Sequence, residues 1–234
     1  MSESPNYPST TIPTEYAIEF LKVAWGVLKQ SYGILFLVGV IGLTANLIAN
    51  LIPFIGTLAY SAASPFLIAG ALNVARKAFE TGNAEFDDFT KPLNDKDLVS
   101  RLIPVSIFSA ALTLPSAILT QFSDMGFLAA GAQMILGLVA ACLAFCSVPL
   151  ILFKGAKLQD TFSANINATL SNIVSLFLIG VFYSVLMVLA AIPLGLPILF
   201  IALPMGPVIY LLMYLTIFED HKLEKATEAL EAKP

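Results

Sequence analysis

Six long stretches of this chain contain no ionisable acid or base. They run over 32–52, 54–75, 102–122, 127–153, 173–192 and 194–218, and no Asp, Glu, Lys, Arg or His interrupts any of them. A helix rises about 1.5 Å per residue, so about 20 apolar residues cross a hydrocarbon core of about 30 Å. The runs are continuous and do not alternate, which excludes the dyad pattern of a membrane β-barrel. The remaining residues cannot coat a soluble globule: 12% of the 234 residues are charged and the mean hydropathy is +0.85. A soluble domain carries about 25% charged residues.

Short breaks pair the runs. Pro53 with Gly56 divides the first two, 123–126 the middle two, and Pro193 with Gly195 the last two. Proline removes a backbone donor and glycine permits reversal, so each pair reads as a helical hairpin. All twelve basic residues then fall on one side of the membrane, and the other side carries only Asp124. Basic loops stay cytoplasmic. The expectation is an all-α membrane protein of six transmembrane helices in three helical hairpins, both termini cytoplasmic, in a bacterial inner membrane.

Ser31 and Pro53 recur 140 residues later as Ser171 and Pro193, and half that offset carries Pro53 to the turn at 123. The spacing suggests three approximate repeats, 14–80, 81–155 and 156–220. Each opens with an amphipathic stretch. In the first, Glu15, Glu19, Lys22 and Lys29 oppose Tyr16, Phe20, Val23 and Val27. Trp25 there suits the headgroup zone. The third has an apolar row, Leu158, Phe162, Ile166 and Leu170, with Asp160, Asn165 and Asn167 adding polarity. The middle one, with Phe86, Phe89 and Leu93 among acids and a proline, is weaker. Short interfacial helices capping the bundle are the plain reading, and docking of a partner or lipid at Phe20, Trp25 and Phe162 is the functional one. Residues 1–13, polar and acidic with no early apolar stretch, suggest a disordered tail and no cleaved signal peptide. Residues 219–234 suggest a charged cytoplasmic helix.

Polar and helix-breaking residues within the runs are the candidate sites. Asn46 and Asn50, one turn apart, and Gln133 suit hydrogen bonding between helices or, second, a polar lining. Ala130, Gln133, Gly137, Ala141 and Ala144 form a small-residue stripe for close helix packing, internal or between copies. Pro197, Pro204 and Pro207 break the sixth run and release carbonyls that need partners; transporters build substrate sites this way, though ion-coupled ones also carry intramembrane charges. Cys142 and Cys146, without His or carboxylate neighbours, make a poor metal site. The acidic stretch around 80–97 reads as a solvated loop. Asn83 and Asp87 fit half of a magnesium-diphosphate motif, but Lys91 stands where the next Asp belongs. The single histidine, His221, lies in the tail, so no triad or zinc-protease arrangement exists. No cofactor, metal or catalytic set is expected, and a net charge of -4 gives no surface for nucleic acid.

Several hydrophobic motifs bear a resemblance to known proteins. Ala24-Trp25-Gly26, Leu51-Ile52-Pro53-Phe54-Ile55-Gly56 with Pro65, Val148-Pro149, the 160–170 helix and Ile192-Pro193-Leu194-Gly195-Leu196 stand in the order found in a family of uncharacterised bacterial inner-membrane proteins. The chain is also distantly similar to the membrane domain fused to some glycerophosphodiester phosphodiesterases. Their catalytic domain has no counterpart here, so the resemblance implies a membrane fold and no activity. The expected role is a non-enzymatic scaffold, assembly or accessory subunit whose partners are the lipid bilayer and other membrane proteins or itself. A channel or transporter for a small or apolar solute is the alternative.

Overall fold

A computed structural model describes residues 7–52, 54–119, 126–191 and 198–220, and among these the regular structure is helical, with no strand. In chain order the helices are α1 (Tyr16–Gln30), α2 (Tyr32–Asn50), α3 (Ile55–Thr81), α4 (Phe86–Asn94) and α5 (Lys96–Leu119). They continue with α6 (Gly126–Ala144), α7 (Ser147–Lys154), α8 (Leu158–Ser171) and α9 (Ile173–Ala191). A π-helical turn at Ile198–Ala202 leads into α10 (Leu203–Phe218).

Four segments among the described residues are long and apolar enough to cross a membrane: Tyr32–Asn50, Ile55–Thr81, Lys96–Pro115 and Phe200–Phe218. Leu158–Ser171 with Ile173–Leu189, bent by 79°, makes a fifth if the pair is one span. That count of four or five stands beside the six expected. The expected breaks at Pro53, 123–125 and Pro193–Gly195 lie outside the described residues, as does the tail beyond 220.

Two expectations change. The run at 127–153 is not one helix: α6 stops at Ala144 and α7 restarts at Ser147. Pro149 has no N–H to offer the Phe145 carbonyl four residues earlier, and the Tyr210 hydroxyl of α10 donates to that carbonyl instead. The acidic stretch is likewise not a loop. α3 runs on to Thr81 and ends at Gly82 in the left-handed region, φ 74°, and α4 and α5 occupy most of 86–119. α4 is begun by Asp88, whose Oδ2 accepts the Glu85 N–H at 3.0 Å, a carboxylate satisfying an orphan donor of the first turn.

Three short helices, α1, α4 and α8, are each joined to the following long one across a single residue, Ser31, Asp95 or Asn172. The Ser31 hydroxyl donates to the Gly82 carbonyl at 3.0 Å, tying the start of α2 to the end of α3. Asp95 Oδ1 accepts the N–H groups of Asp97 and Leu98 at the head of α5. Asn172 Nδ2 donates to the Ala168 and Thr10 carbonyls, and its Oδ1 accepts the Ile12 N–H. Those last bonds hold the segment from Thr10 to Ile12. Thr10 also pairs with the end of α10 through its N–H to the Ile217 carbonyl at 2.8 Å, and Ser175 donates to Ile12. This segment is fixed by backbone hydrogen bonds, by the Thr10 hydroxyl on the Thr216 carbonyl and by burial of Ile12 in the core, an order that composition does not register.

The tightest packing lies at the end of the bundle that carries Arg76, Lys154 and Glu219. Phe20, Leu28, Leu72, Leu150, Leu211, Tyr214 and Ile217 are almost completely enclosed there. α10 is the central helix: its apolar window is 61% buried, against 17% for α2. At the other end Leu51 and Phe127 project outward, 79% and 89% exposed. Apolar side chains facing out and polar ones facing in are what a lipid environment selects.

Candidate functional site

The candidate residues of the spans converge most closely beside α3. A cavity of about 370 Å³ lies between α2, α3 and α10, and among its lining residues are Asn46 and Pro207. Gly39 and Gly42 of α2 border it. A Cβ on Gly39 would sit 3.4 Å from Leu203, so glycine permits α2 to approach α10 closely, whereas Gly42 has open space before it. α4 closes one side with Phe89. It presses so near to α3 that a Cβ on Gly70 would meet the Phe89 carbonyl at 2.7 Å.

A second cavity of about 200 Å³ lies between α3, α5 and α6. Tyr60 and Ser64 line both cavities, and Ser61, Ser109, Thr113 and Gly137 line the second. Ser61 donates to Thr113 Oγ1 at 2.9 Å, Thr113 to the Ser109 carbonyl at 2.9 Å, and Ser64 to the Ser61 carbonyl at 3.0 Å. These hydroxyls were missed in the sequence because single Ser and Thr residues are ordinary in membrane helices. The available signal was their spacing, Ser61 to Ser64 and Ser109 to Thr113, which places each pair on one helix face.

Other candidates are placed as follows. Asn50 donates to the carbonyl and to Oδ1 of Asn46, both within α2, so the bond found joins the pair and not two helices. Pro204 is buried at the start of α10. The Ala202 carbonyl, two residues before it, accepts from the Tyr183 hydroxyl of α9 at 2.8 Å and ties the start of α10 to α9. Gly137 is exposed toward the smaller cavity. Pro197 lies outside the described residues, as do the side chains of Gln133 and Ala141. Phe20 is fully enclosed in α1, packed in the core and closed to any partner in this conformation. Trp25 is 42% exposed, with Lys29 Nζ 6.0 Å from its ring. Phe162 is half-buried with its ring 5.4 Å from that of Phe108.

A buried polar cluster not singled out in the sequence repairs the α6–α7 break. Asn165 of α8 donates to the Leu143 carbonyl and to Ser147 Oγ, and accepts the Cys146 N–H at 2.8 Å. Ser147 also shares a 2.7 Å hydrogen bond with Thr161. Both polar atoms of the Asn165 side chain are matched, so the cluster is structural. Cys146 is a free, buried thiol there.

On the outside, and among the described residues, α9 lines a groove of about 510 Å³, floored by Gly180 and Ser184 and walled by Phe177, Val181, Val185 and Val188. Among the described residues no cluster of three or more His, Cys, Asp or Glu is placed to hold a metal ion. No family model, curated protein or solved structure matches this chain.

Proposed function

We propose that this chain is a six-span protein of a bacterial inner membrane, with hairpin-paired helices and both termini inside, that works without catalysis by packing against another membrane helix. The observation that carries this reading is the outer face of α9. Gly180 and Ser184 are one turn apart, and among the described residues nothing lies within 4 Å of a Cβ added at Gly180. Small residues at that spacing let two helix backbones approach closely in lipid, where dispersion and weak hydrogen bonds drive association. Exposed Phe177, Val181 and Val185 flank them to supply the contact.

The test is the state of the protein extracted from native membranes in mild detergent. The expected result is co-elution with a second membrane protein or with another copy, and loss of that complex in Gly180→Leu. A lone wild-type monomer, indistinguishable from Gly180→Leu, would overturn the proposal. The second reading, passage of an apolar or small neutral solute, is favoured by the uncharged cavity that contains Asn46 and Pro207. It requires flux in liposomes that Asn46→Leu alters.

A further inference from the structure

We propose that the outward face of α1 binds the phosphate headgroups of anionic phospholipids, with Lys22 and Lys29 as the anion-binding groups and Trp25 between them. The proposal rests on the chain being embedded in a membrane and is independent of whether α9 engages a partner.

The face is defined by what the bundle leaves uncovered. α1 turns Phe20, Val23, Val27 and Leu28 into the core, where they are almost completely enclosed. Ile18, Lys22, Trp25 and Lys29 recur at steps of four, three and four, and all four are exposed. That spacing sets them in one row along the helix. Packing thus separates Trp25 from Phe20 and joins it to the lysines.

The depth of the row follows from its attachment. Only Ser31 separates α1 from α2, and its hydroxyl is bonded to the Gly82 carbonyl just beyond the end of α3. The Lys29 end of the row therefore lies level with the ends of two candidate spans, where hydrocarbon gives way to headgroups. Trp25, and Tyr32 at the first turn of α2, 40% exposed, are the aromatic residues that this boundary favours. Water would leave Ile18 and the Trp25 ring hydrated, and hydrocarbon would strip two ammonium groups of water without a counter-charge. The headgroup layer suits both.

Charge selects the lipid. Among the described residues neither lysine is in an ion pair, and Lys29 Nζ lies 6.0 Å from the Trp25 ring. Glu19 is half-buried. Glu15, exposed at the start of the helix, is two turns from Lys22, about 10 Å along the axis and beyond the screening length of about 8 Å at physiological salt. Two unpaired positive charges complement a phosphate with net negative charge. The phosphate of phosphatidylcholine is already neutralised by its own ammonium.

Trp25 is the single tryptophan of the chain, so its fluorescence reads this face alone. The full-length protein is reconstituted into phosphatidylcholine vesicles holding a minor fraction of phosphatidylglycerol or phosphatidylcholine brominated near the headgroup end of its acyl chains. Bromine quenches tryptophan on contact. At equal mole fraction the brominated phosphatidylglycerol should be preferred at Trp25, by up to about fivefold for each lysine. Lys22→Gln/Lys29→Gln, two exposed positions outside any ion pair, should bring the two lipids to equal quenching with unchanged helicity. Lys157→Gln, exposed at the start of α8, should keep the preference. Equal quenching in the wild type, or a preference undiminished in the double variant, would overturn the proposal. So would emission that neither lipid quenches in protein that floats with the vesicles, because water or a second copy of the chain then covers the face. Protein that floats with vesicles of neither composition would overturn the membrane placement, and this proposal with it.

Discussion

At the scale of single residues, the broken fourth run rests on one amide. Asn165 supplies the acceptor that Cys146 N–H lacks and the donor that the Leu143 carbonyl lacks, so it substitutes for the helix ladder on both sides of the break. Replacing it with leucine leaves buried backbone groups unpaired, at a cost of about 1–3 kcal/mol for each group so exposed. Asn165→Leu should therefore lower the unfolding temperature in detergent, while Asn167→Leu, two residues on and exposed, should change stability by no more than about 0.5 kcal/mol. Calorimetry on the two variants separates them. In the sequence these asparagines are equivalent, both polar punctuation beside an apolar row. The fold distinguishes them because α8 turns Thr161, Ala164, Asn165 and Ala168 inward and leaves Ile166 and Leu170 outside. Polar-inward amphipathicity is the reverse of the soluble rule, and only packing reveals which face is which.

At the scale of elements, α4 shows how a segment rich in acids becomes a packed helix. Asp88 is buried; it accepts the Glu85 N–H and, at 2.6 Å, the Lys91 ammonium. The hydrogen bond from Lys91, with help from the Glu85 N–H, holds its carboxyl below the usual carboxylate range against the opposing effect of burial. A carboxyl depressed in the folded protein adds stability above its unfolded value of about 3.9 and loses it as the pH falls through the folded one. Lys91 is largely exposed, so solvent screens the ion pair and limits the stability it adds. Protection of the amides of 86–94, their exchange slowed relative to the unstructured chain at the same pH, should therefore fall on acidification below about pH 4. In Asp88→Asn that protection should be weaker at neutral pH and nearly independent of pH through that window. The amphipathic stretches were legible as elements because Phe86, Phe89 and Leu93 keep a helical period. The break at Phe145 and Cys146 was not, because Pro149 acts four residues upstream and a proline within an apolar run also fits an unbroken helix, as Pro65 does in α3.

At the scale of the whole molecule, the dense end of the bundle gathers the charges. Arg76 bridges Glu80 at 2.8 Å and Glu219 at 3.2 Å and lies 4.5 Å above the Phe153 ring, and Lys154 donates to the Phe218 carbonyl. These contacts clamp the end of α10 to α3 and α7. Among the described residues these ion pairs gather at one end of the bundle, which fits the proposed orientation with that end inside. In a background with both natural cysteines replaced, Asp124→Cys should react with a membrane-impermeant maleimide on intact cells, and Lys154→Cys only after permeabilisation. The opposite pattern would reverse the topology.

The sequence alone determined the helical class and its compatibility with lipid: in a membrane a long uncharged apolar run pairs its backbone groups within a helix, since each unpaired group there costs several kcal/mol. It also determined that the long apolar runs carry no charge. Tertiary structure decided which helix is central, where the fourth run breaks, and which side chains face the cavities beside α3. It also decided that Thr10 and Ile12 are fixed by Asn172 and the end of α10. These depend on pairings between residues up to 207 positions apart, and such pairings leave no local period or composition for a sequence to display. Hydropathy is a property of each segment; the partner of a buried amide is a property of the assembled bundle.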